Sequence, residues 1–334
     1  MAHDVSILGA GSWGTALAVH LGRSARRVVL WAHDPAQAER LASDRANLKY
    51  LPGYPLPPTV TIAPSLADAL AAAPHILLAV PSHHCRQVVR EASGGVTARQ
   101  TFCVAAKGIE NDTFLRVSQI VTEELGDPAP SRICALSGPS FAREVAEGHP
   151  TAVVAASADP AVGLLWQELL SAGGLRAYTN DDLIGVELGG ALKNVIAIAA
   201  GVVEGLGHGS NTLAALITRG LAEMARLAEA MGARRETLSG LSGLGDLVLT
   251  CTGSLSRNRS LGIALGRGET LRNHQASTPM VAEGVRTTLS ARRLAERHAV
   301  SMPITQQVHA VLYEGKPPAS AIKELLSRQL TSEE

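Results

Sequence analysis

The stretch VSILGAGSWG, residues 5–14, decides the fold of the first half of the chain. Val5 to Leu8 predict a short buried strand, and three glycines then follow in the spacing GxGxxG before a helical pattern begins. The first glycine permits a tight turn, the second lets a pyrophosphate approach the backbone, and the third lets helix and strand pack closely. The helix N-terminus adds N–H groups and a positive dipole end. In this context the motif predicts a dinucleotide-binding site at Gly9, Gly11 and Gly14, and a glycine-rich turn without a ligand is the alternative.

Short apolar runs recur through the first half, and helical patterns lie between several of them. One such pattern, at residues 114–125, spaces apolar residues three or four apart and stops at Gly126. Strands that alternate with helices imply a parallel sheet covered on both faces, with ligands at the carboxyl ends of the strands. The runs are Val5 to Leu8, Val28 to Trp31, His75 to Val80, Thr101 to Ala105, Ile133 to Leu136 and Thr151 to Ala156. We therefore predict an α/β half with a Rossmann-type, doubly wound, mainly parallel sheet.

The second half of the chain changes character near Tyr178, where the strand patterns stop. Segments rich in Ala, Leu and Gly at helical spacing cover residues 181–205 and 210–232, and further helices are predicted at residues 284–298 and 305–315. These patterns predict an all-α C-terminal domain. The predicted domains are residues 1–178, which bind the dinucleotide, and residues 179–334, which carry the substrate and catalysis.

The composition argues against several classes of protein. Lys plus Arg and Asp plus Glu each total 30, so the overall charge predicts no nucleic-acid partner. The sequence shows no secretion signal and no apolar run of about twenty residues, so no membrane insertion is expected. The cysteines are widely separated and lack metal-ligand spacing, which predicts reduced core thiols and no metal site. They are Cys85, Cys103, Cys134 and Cys251. Together these features favour a cytoplasmic protein.

The end of the second strand is expected to choose between NAD and NADP. An acidic residue there binds the ribose hydroxyls of NAD, whereas a basic group favours the extra phosphate of NADP. This chain has Ala32, His33 and Asp34 at that point. His33 favours NADP, Asp34 keeps NAD open, and His33 is equally well interpreted as a surface loop residue. The predicted cofactor is therefore NADP or NAD.

Lys193 occurs in an apolar helical pattern where a lysine is costly. Its helical neighbours are Gly189, Gly190, Ile196 and Ala197, and each glycine costs a helix about 1 kcal/mol relative to alanine. A partly desolvated lysine could exchange a proton near neutral pH, and the glycines would let a ligand or another backbone approach. The alternative is a lysine that snorkels from a buried helix, with glycines that serve helix packing alone.

Four further polar clusters complete the candidate site. Asp246 follows a glycine-rich turn before an apolar run and needs a cationic partner, for which Lys193 is suitable. The run SRN at residues 256–258 offers the hydroxyl, guanidinium and amide donors of a phosphate site. GPS at 138–140 and Lys107 each follow a predicted strand, at the ligand-binding edge. Taken singly, these features also fit a helix cap, a solvated turn, an ordinary turn and a surface charge.

Together the motifs resemble those of the bacterial NAD(P)-dependent glycerol-3-phosphate dehydrogenase family. The match runs in order over nearly the whole chain, which makes it far more specific than any single motif. The matching segments are GAGSWG at 9–14, AKGIE at 106–110, SGPSFA at 137–142, LGGALKN at 188–194, GLGD at 243–246 and SRN at 256–258. The resemblance implies a Rossmann-type domain followed by a helical domain shared with 6-phosphogluconate dehydrogenase relatives. It also implies reversible reduction of dihydroxyacetone phosphate to sn-glycerol 3-phosphate for glycerophospholipid synthesis.

The resemblance also implies roles for individual residues. Lys193 would be the general acid/base, and Asp246 would orient it and favour its charged form. The substrate-binding residues would be Lys107, Gly138, Ser140, Lys193, Asp246, Ser256, Arg257 and Asn258. The cofactor-binding residues would be Gly9, Gly11, Ser12, Trp13, Gly14, His33, Tyr50, Lys107, Ala142, Arg257, Val281 and Glu283. The binding partner is then a small phosphorylated molecule.

Two other functions remain open from the sequence. A dehydrogenase of the same architecture that acts on a 3-hydroxyacyl thioester or a 2-hydroxy acid would typically use a histidine, and His208 lies nearby but in a glycine-rich loop. A non-catalytic NADP(H)-binding sensor would need no convergent polar set in its helical domain. We also expect a homodimer, although the sequence does not reveal the oligomeric state: the Ala- and Gly-rich helices could form a dimer interface as readily as an internal core.

Overall fold

The computed structural model describes residues 3–126, 129–277 and 282–329. The chain divides into two compact units. The sheet unit comprises Met1–Glu110 and Leu115–Glu187, and the helical unit comprises Asn111–Phe114 and Leu188–Glu334. The predicted domain boundary at residue 178 stays a prediction.

The sheet unit contains ten strands and seven α-helices among the described residues. The strands are β1 (Val5–Leu8), β2 (Val28–Trp31), β3 (Ala46–Asn47), β4 (Leu51–Pro55), β5 (Val60–Ile62), β6 (His75–Leu78), β7 (Thr101–Val104), β8 (Ile133–Ser137), β9 (Thr151–Ala156) and β10 (Leu175–Asn180). The helices are α1 (Ser12–Arg23), α2 (Pro35–Asp44), α3 (Leu66–Ala72), α4 (Ser82–Ala92), α5 (Val117–Leu125), α6 (Ala142–Glu147) and α7 (Pro160–Leu170).

Eight of these strands form one sheet in the order β10-β9-β8-β7-β6-β1-β2-β5. Neighbouring strands are parallel except β8 and β9, which pair antiparallel. The remaining two strands, β3 and β4, form a separate antiparallel hairpin. The predicted mainly parallel, doubly wound sheet is thus confirmed, and the carboxyl ends of β1, β2, β6, β7 and β8 share one edge.

Apolar side chains cover both faces of the sheet because successive residues of a strand point to opposite sides. Ile7 lies in a cluster with Leu17 of α1 and Trp166 of α7. Leu8 lies in a second cluster, with Val88 of α4 and other apolar residues of α3 and α5. Burial on both faces explains why the central strands are short, continuous apolar runs in the sequence.

The helical unit contains α-helices and no strand among the described residues, which confirms the all-α second domain. The helices are α8 (Leu183–Gly205), whose first residues belong to the sheet unit, α9 (Ser210–Ala230), α10 (Arg235–Leu238), α11 (Asp246–Thr252), α12 (Arg257–Gly266), α13 (Leu271–Ser277), α14 (Glu283–Arg297), α15 (Pro303–Tyr313) and α16 (Pro318–Leu326). A π-helical turn, Leu241–Gly245, leads directly into α11.

Helices α8 and α12 touch through their backbones. A Cβ on Gly201 would lie 2.0 Å from the carbonyl oxygen of Arg259, and one on Gly262 would lie 2.1 Å from the carbonyl oxygen of Ile198. Gly205 and Gly266, one turn further along each helix, meet the partner helix in the same way. We call these four residues the glycine contact. It allows two helices to approach more closely than any larger residue permits.

Helix α8 has the length and hydropathy of a membrane span, but 94% of its most apolar window is buried inside the structure. Core helices of globular units share this property. Its apolarity therefore reflects its central place in the helical unit.

The short segment Asn111–Phe114 belongs to the helical unit although both flanking segments belong to the sheet unit. The hydroxyl of Ser290 donates a hydrogen bond to the side-chain oxygen of Asn111. The guanidinium of Arg297 lies 5.2 Å from the centre of the Phe114 ring. Two residues of α14 thus hold this segment.

Candidate active site

The glycine turn after β1 leaves an open surface at the start of α1. Gly9 has φ of +117°, and Cβ atoms on Gly9 and Gly14 would collide with backbone, at 2.8 Å from Ala79 and 1.9 Å from the Gly9 oxygen respectively. A Cβ on Gly11, in contrast, would meet no atom within 4 Å. Gly11 is also the N-cap of α1 and provides no side-chain cap. The first N–H groups of α1 therefore face a site that an anion can fill.

Side chains near this turn offer donors that suit a dinucleotide. The indole Nε1 of Trp13 is buried and has no hydrogen-bond partner within the described part of the chain. A buried donor without a partner is unusual in a protein, and a bound ligand would satisfy it. The hydroxyl of Ser12 donates to the carbonyl oxygen of Tyr50 at 2.7 Å, which places Tyr50 beside the turn. The residues present thus fit a nicotinamide dinucleotide.

The carboxylate that follows β2 in the chain is that of Asp34. Asp34 caps α2, and its side chain accepts a hydrogen bond from the backbone N–H of Ala36 at 3.0 Å. It also lies 3.8 Å from Arg40. His33 is exposed and packs edge-on against Trp31. The carboxylate of Asp34 therefore serves as a helix cap, and the basic side chains of His33 and Arg40 lie near the same end of β2.

Lys107, Gly138 and Ser140 come together at the carboxyl ends of β7 and β8. The ammonium of Lys107 donates to the carbonyl oxygen of Gly138 at 3.1 Å, and the hydroxyl of Ser140 donates to the same oxygen at 2.9 Å. Gly138 has φ of +119° and lies against Val153, so a side chain there would be strained. Ala142 follows as the first residue of α6. The sequence motifs AKG and SGPS thus form one cluster at the ligand-binding edge of the sheet.

Lys193 and Asp246 form a buried ion pair inside the helical unit. The Lys193 ammonium donates to a carboxylate oxygen of Asp246, and the residues are 6% and 1% exposed. Ion pairs are rarely buried to this extent unless they serve the structure or the chemistry of a site. The interpretation of Lys193 as a snorkelling lysine is wrong, because its charged end is paired within the protein.

The backbone around Asp246 is shaped to reach α8. A Cβ on Gly189 would lie 2.6 Å from the carbonyl oxygen of Ser242, so the π-helical turn rests directly on α8. The hydroxyl of Thr250, one helical turn after Asp246, donates to the backbone oxygen of Asp246 at 2.6 Å. Thr250 was not predicted as a site residue, although its place four residues after Asp246 puts both on one face of a helix. Gly189 serves the close approach of another backbone, which was one of the alternatives for this glycine.

The SRN run lies at the start of α12 rather than in a solvated turn. Ser256 caps α12 by accepting a hydrogen bond from the N–H of Arg259 at 3.2 Å. The amide nitrogen of Asn258 donates to the side-chain oxygen of Asn194 at 2.9 Å, and its oxygen accepts the N–H of Gly284 at 2.9 Å. Asn194 was not predicted as a site residue, although it adjoins Lys193. This network joins α8, α12 and α14 beside the ion pair.

Arg257 makes no hydrogen bond or ion pair with the residues the structure describes. Although Arg257 is exposed, the protein around its guanidinium lowers the pKa of that group by desolvation, and the negative charge of Glu283, the first residue of α14, opposes the shift. A guanidinium that lacks a protein acceptor is a candidate anion ligand. Val281, also predicted to bind the cofactor, lies outside the described residues.

No group of three or more His, Cys, Asp or Glu side chains that could hold a metal ion is found among the described residues. Among the predicted substrate-binding residues, the charged side chains are those of Lys107, Lys193, Asp246 and Arg257, of which the two lysines and the arginine can donate hydrogen bonds to an anion.

Comparison with known proteins gives a consistent result over both units. The profile of the NAD-dependent glycerol-3-phosphate dehydrogenase N-terminus matches residues 4–163, and that of the C-terminus matches residues 182–323. The glycerol-3-phosphate dehydrogenase [NAD(P)+] of Koribacter versatilis (strain Ellin345) is 49% identical over 331 residues, which cover 98% of each chain. That of Acidobacterium capsulatum is 50% identical over 332 residues, or 97% of this chain and 98% of the relative.

A solved structure shows the same likeness in three dimensions. The crystal structure of glycerol-3-phosphate dehydrogenase from Coxiella burnetii has a TM-score of 0.94 and 42% sequence identity to this chain. The match covers 98% of this chain and 99% of the crystallised one. Sequence and structure thus agree over nearly the full length.

Proposed function

The chain belongs to the NAD-dependent glycerol-3-phosphate dehydrogenase family, and we propose that its Lys193 is the general acid/base of the reaction. The enzyme is an NAD(P)-dependent oxidoreductase with a Rossmann-type dinucleotide-binding domain. Its proposed reaction is the reversible reduction of dihydroxyacetone phosphate to sn-glycerol 3-phosphate. The buried pair of Lys193 and Asp246 is the single observation that carries the proposed mechanism.

A reduced nicotinamide dinucleotide held at the glycine turn, Gly9 to Gly14, would supply the hydride for the C2 carbonyl carbon. Lys193, in its protonated form, donates a proton from Nζ to the carbonyl oxygen as negative charge develops there. The C2 hydroxyl forms, and Lys193 is left neutral until solvent returns a proton. In the reverse direction, neutral Lys193 removes the hydroxyl proton.

Asp246 keeps Lys193 ready for this role. Its carboxylate accepts the hydrogen bond that fixes the ammonium, and a negative charge at contact distance favours the protonated form. Thr250 holds the backbone of Asp246 in turn. The pair is therefore preorganised before the substrate arrives, which is the form of assistance that positioned groups give most effectively.

The phosphate of the substrate is proposed to bind at the start of α12. Arg257 offers a guanidinium without a protein acceptor among the described residues, and Ser256 and Asn258 lie beside it. Binding energy gained at the phosphate, away from the carbonyl, would hold the ketone in register. In the sheet unit, Lys107, Gly138 and Ser140 are proposed to contribute to the same substrate.

The cofactor is proposed to bind along the glycine turn and the neighbouring strand ends. The proposed contacts are Gly9, Gly11, Ser12, Trp13, Gly14, His33, Tyr50, Lys107, Ala142, Arg257, Val281 and Glu283. His33 and Arg40 support NADP, since Asp34 is engaged as a helix cap. We further propose a cytoplasmic homodimer that serves glycerophospholipid synthesis and binds neither nucleic acid nor membrane.

Replacement of Lys193 tests the proposed mechanism. We expect Lys193→Met to lower kcat with dihydroxyacetone phosphate about a thousandfold, within the range general acid/base catalysis contributes, and to leave cofactor affinity largely intact. Lys323→Met, at an exposed position of α16, is the matched control. Unchanged turnover in Lys193→Met would overturn the proposed role of Lys193. Cofactor binding without any turnover in the unaltered protein would instead support a non-catalytic sensor.

Assays with different substrates and cofactors test the proposed reaction. Turnover with acetoacetyl thioesters above that with dihydroxyacetone phosphate would contradict the proposed substrate, and parallel assays with NADH and NADPH measure the cofactor preference.

In Asp246→Asn the protonated lysine, Lys193, loses its negative partner. We therefore expect the alkaline limb of the pH profile for ketone reduction to move to lower pH. An unmoved profile would remove Asp246 from its proposed role.

A further inference from the structure

Two amide side chains converge on one carbonyl oxygen in the middle of the glycine turn. The amide of Gln37, on α2, donates to the oxygen of Ala10 at 2.7 Å, and the amide of Asn47, on β3, donates to the same oxygen at 2.9 Å. Asn47 is 2% exposed. Neither residue belongs to the GxGxxG motif, and they reach the turn from two separate elements.

Asn47 also binds the chain on the other side of Gly11. Its amide nitrogen donates to the hydroxyl of Thr15 at 2.7 Å, and its oxygen accepts the N–H of Tyr50 at 3.1 Å. The carbonyl of Tyr50 in turn accepts the hydroxyl of Ser12 at 2.7 Å. The amide of Asn47 therefore uses both its nitrogen and its oxygen to tie together residues before and after the second glycine.

Because the peptide bond is planar, these hydrogen bonds also determine where the N–H of Gly11 points. The C=O of Ala10 and the N–H of Gly11 belong to one peptide unit and point in opposite directions. Anchoring the carbonyl on Asn47 and Gln37 therefore fixes the N–H of Gly11 on the opposite side. Open space lies beside Gly11, where a Cβ would meet no atom.

We propose that Asn47 and Gln37 are positioning residues that lock the Ala10–Gly11 peptide with its N–H directed at the cofactor pyrophosphate. They act through the turn and do not touch the dinucleotide. The inference rests on the proposed use of this turn for the cofactor. Without the two amides, the buried carbonyl oxygen of Ala10 loses the two hydrogen bonds that it accepts from them, and the Ala10–Gly11 peptide is free to reorient.

The variants Asn47→Ala, Asn47→Asp and Gln37→Ala test the proposal, with Asn211→Ala at an exposed site on α9 as the control. We expect Asn47→Ala to raise the dissociation constant of NADPH or NADH, measured by the fluorescence of the reduced nicotinamide, about tenfold to a hundredfold. Gln37→Ala removes one bond and is expected to raise it about threefold to tenfold. The value of kcat at saturating cofactor should change less than twofold.

Asn47→Asp separates positioning from packing. The aspartate keeps the size and the acceptor for Tyr50 but places a carboxylate against the Ala10 oxygen, so weak cofactor binding is expected with the fold retained. The inhibition constant of adenosine, which lacks the pyrophosphate, should stay constant in all variants. The folded state of each variant is checked by its Tm.

The outcomes distinguish a failure of the proposed function from a failure of the proposed positioning role. Absence of NADH and NADPH binding in the unaltered enzyme would defeat the proposed function itself. If the unaltered enzyme binds the cofactor tightly and folded Asn47→Asp and Gln37→Ala bind it equally tightly, the positioning role is overturned. A loss of adenosine affinity equal to the loss for the dinucleotide would also overturn it, since the effect would then not concern the pyrophosphate.

Discussion

Glycines serve opposite purposes in the two units of this protein. In the turn after β1, Gly11 keeps backbone accessible, and the space beside it is empty. In the glycine contact of α8 and α12, Gly201 and Gly262 bring two backbones together, and no space remains beside either. The sequence shows similar glycine density in both places. Only the surroundings of the missing side chain tell a binding glycine from a packing glycine.

The two units also bury titratable groups whose contributions to stability change with pH in opposite directions. His20 of α1 is buried, bonds the carbonyl of Leu170 and has a lowered pKa, chiefly because of desolvation. Glu223 of α9 is buried and accepts N–H groups from Ile304 and Thr305 at the start of α15, yet desolvation raises its pKa to about 7. Acid should weaken the first unit through His20, and rising pH should weaken the second through Glu223.

The largest expected effect comes from Gly262→Ala. The added Cβ would lie 2.1 Å from the Ile198 oxygen, so α12 must move away from α8. We expect a loss of about 3 kcal/mol or more in the free energy of unfolding, measured by denaturant titration, together with a fall in kcat because α12 carries Arg257. Gly209→Ala has no neighbour within 4 Å and serves as the control. Equal stability of the two variants would refute the packing role.

Gly11→Ala should show the reverse pattern. Because its Cβ meets no protein atom, Tm should stay close to that of the unaltered protein, whereas the dissociation constant of the cofactor should rise at least about tenfold as the methyl group excludes the pyrophosphate. The comparison between the two kinds of glycine breaks down if this variant is destabilised but still binds cofactor normally.

The pH dependence of Glu223 gives a third test. Its folded pKa is raised above the usual 4.5, so its contribution to stability is fully present below pH 4.5 and is lost as pH rises to about 7. Over that window the stability of Glu223→Gln should improve relative to the unaltered protein by about 3 kcal/mol at most. Glu229→Gln, on the same helix and exposed, should show no such trend. Thermal unfolding from pH 4.5 to 8 measures both.

A smaller effect of opposite sign is expected for His20→Gln. The lowered pKa of His20 means that its neutral form stabilises the fold, a contribution present above pH 6.5 and lost as pH falls towards the folded pKa. Glutamine can keep a donor towards the Leu170 carbonyl without accepting a proton. The variant should therefore lose less stability than the unaltered protein between pH 7 and 5, and an identical acid profile would contradict the role of His20.

Much of the fold was predictable because buried parallel strands and apolar helices carry strong periodic signals. The strand Val5–Leu8 and the helix Ser210–Ala230 lie where the patterns placed them. Strand β10 was missed because it lies at the sheet edge and alternates buried with exposed residues over only six positions. Helices α11 and α12 were not predicted as helices, since short segments rich in Gly and Ser give little periodicity.

Within the candidate site, residue types were predictable and partners mostly were not. A lysine among apolar neighbours pointed to Lys193, and its need for a counter-charge pointed to Asp246, which the structure pairs with it. Asn194 and Asn47 act through contacts between residues distant in sequence. Nothing in the local pattern of a single sequence encodes such pairings.

The segment Asn111–Phe114 has a consequence for the modularity of the molecule. Because these four residues leave the sheet unit, lie against α14 and then return, the polypeptide passes between the units at three points rather than one. A fragment starting at Leu188 would lack the side chains that contact Ser290 and Arg297. Dissection of this enzyme into exchangeable parts, or grafting of its helical unit onto another nucleotide-binding domain, must therefore transplant an internal tetrapeptide as well as a C-terminal half.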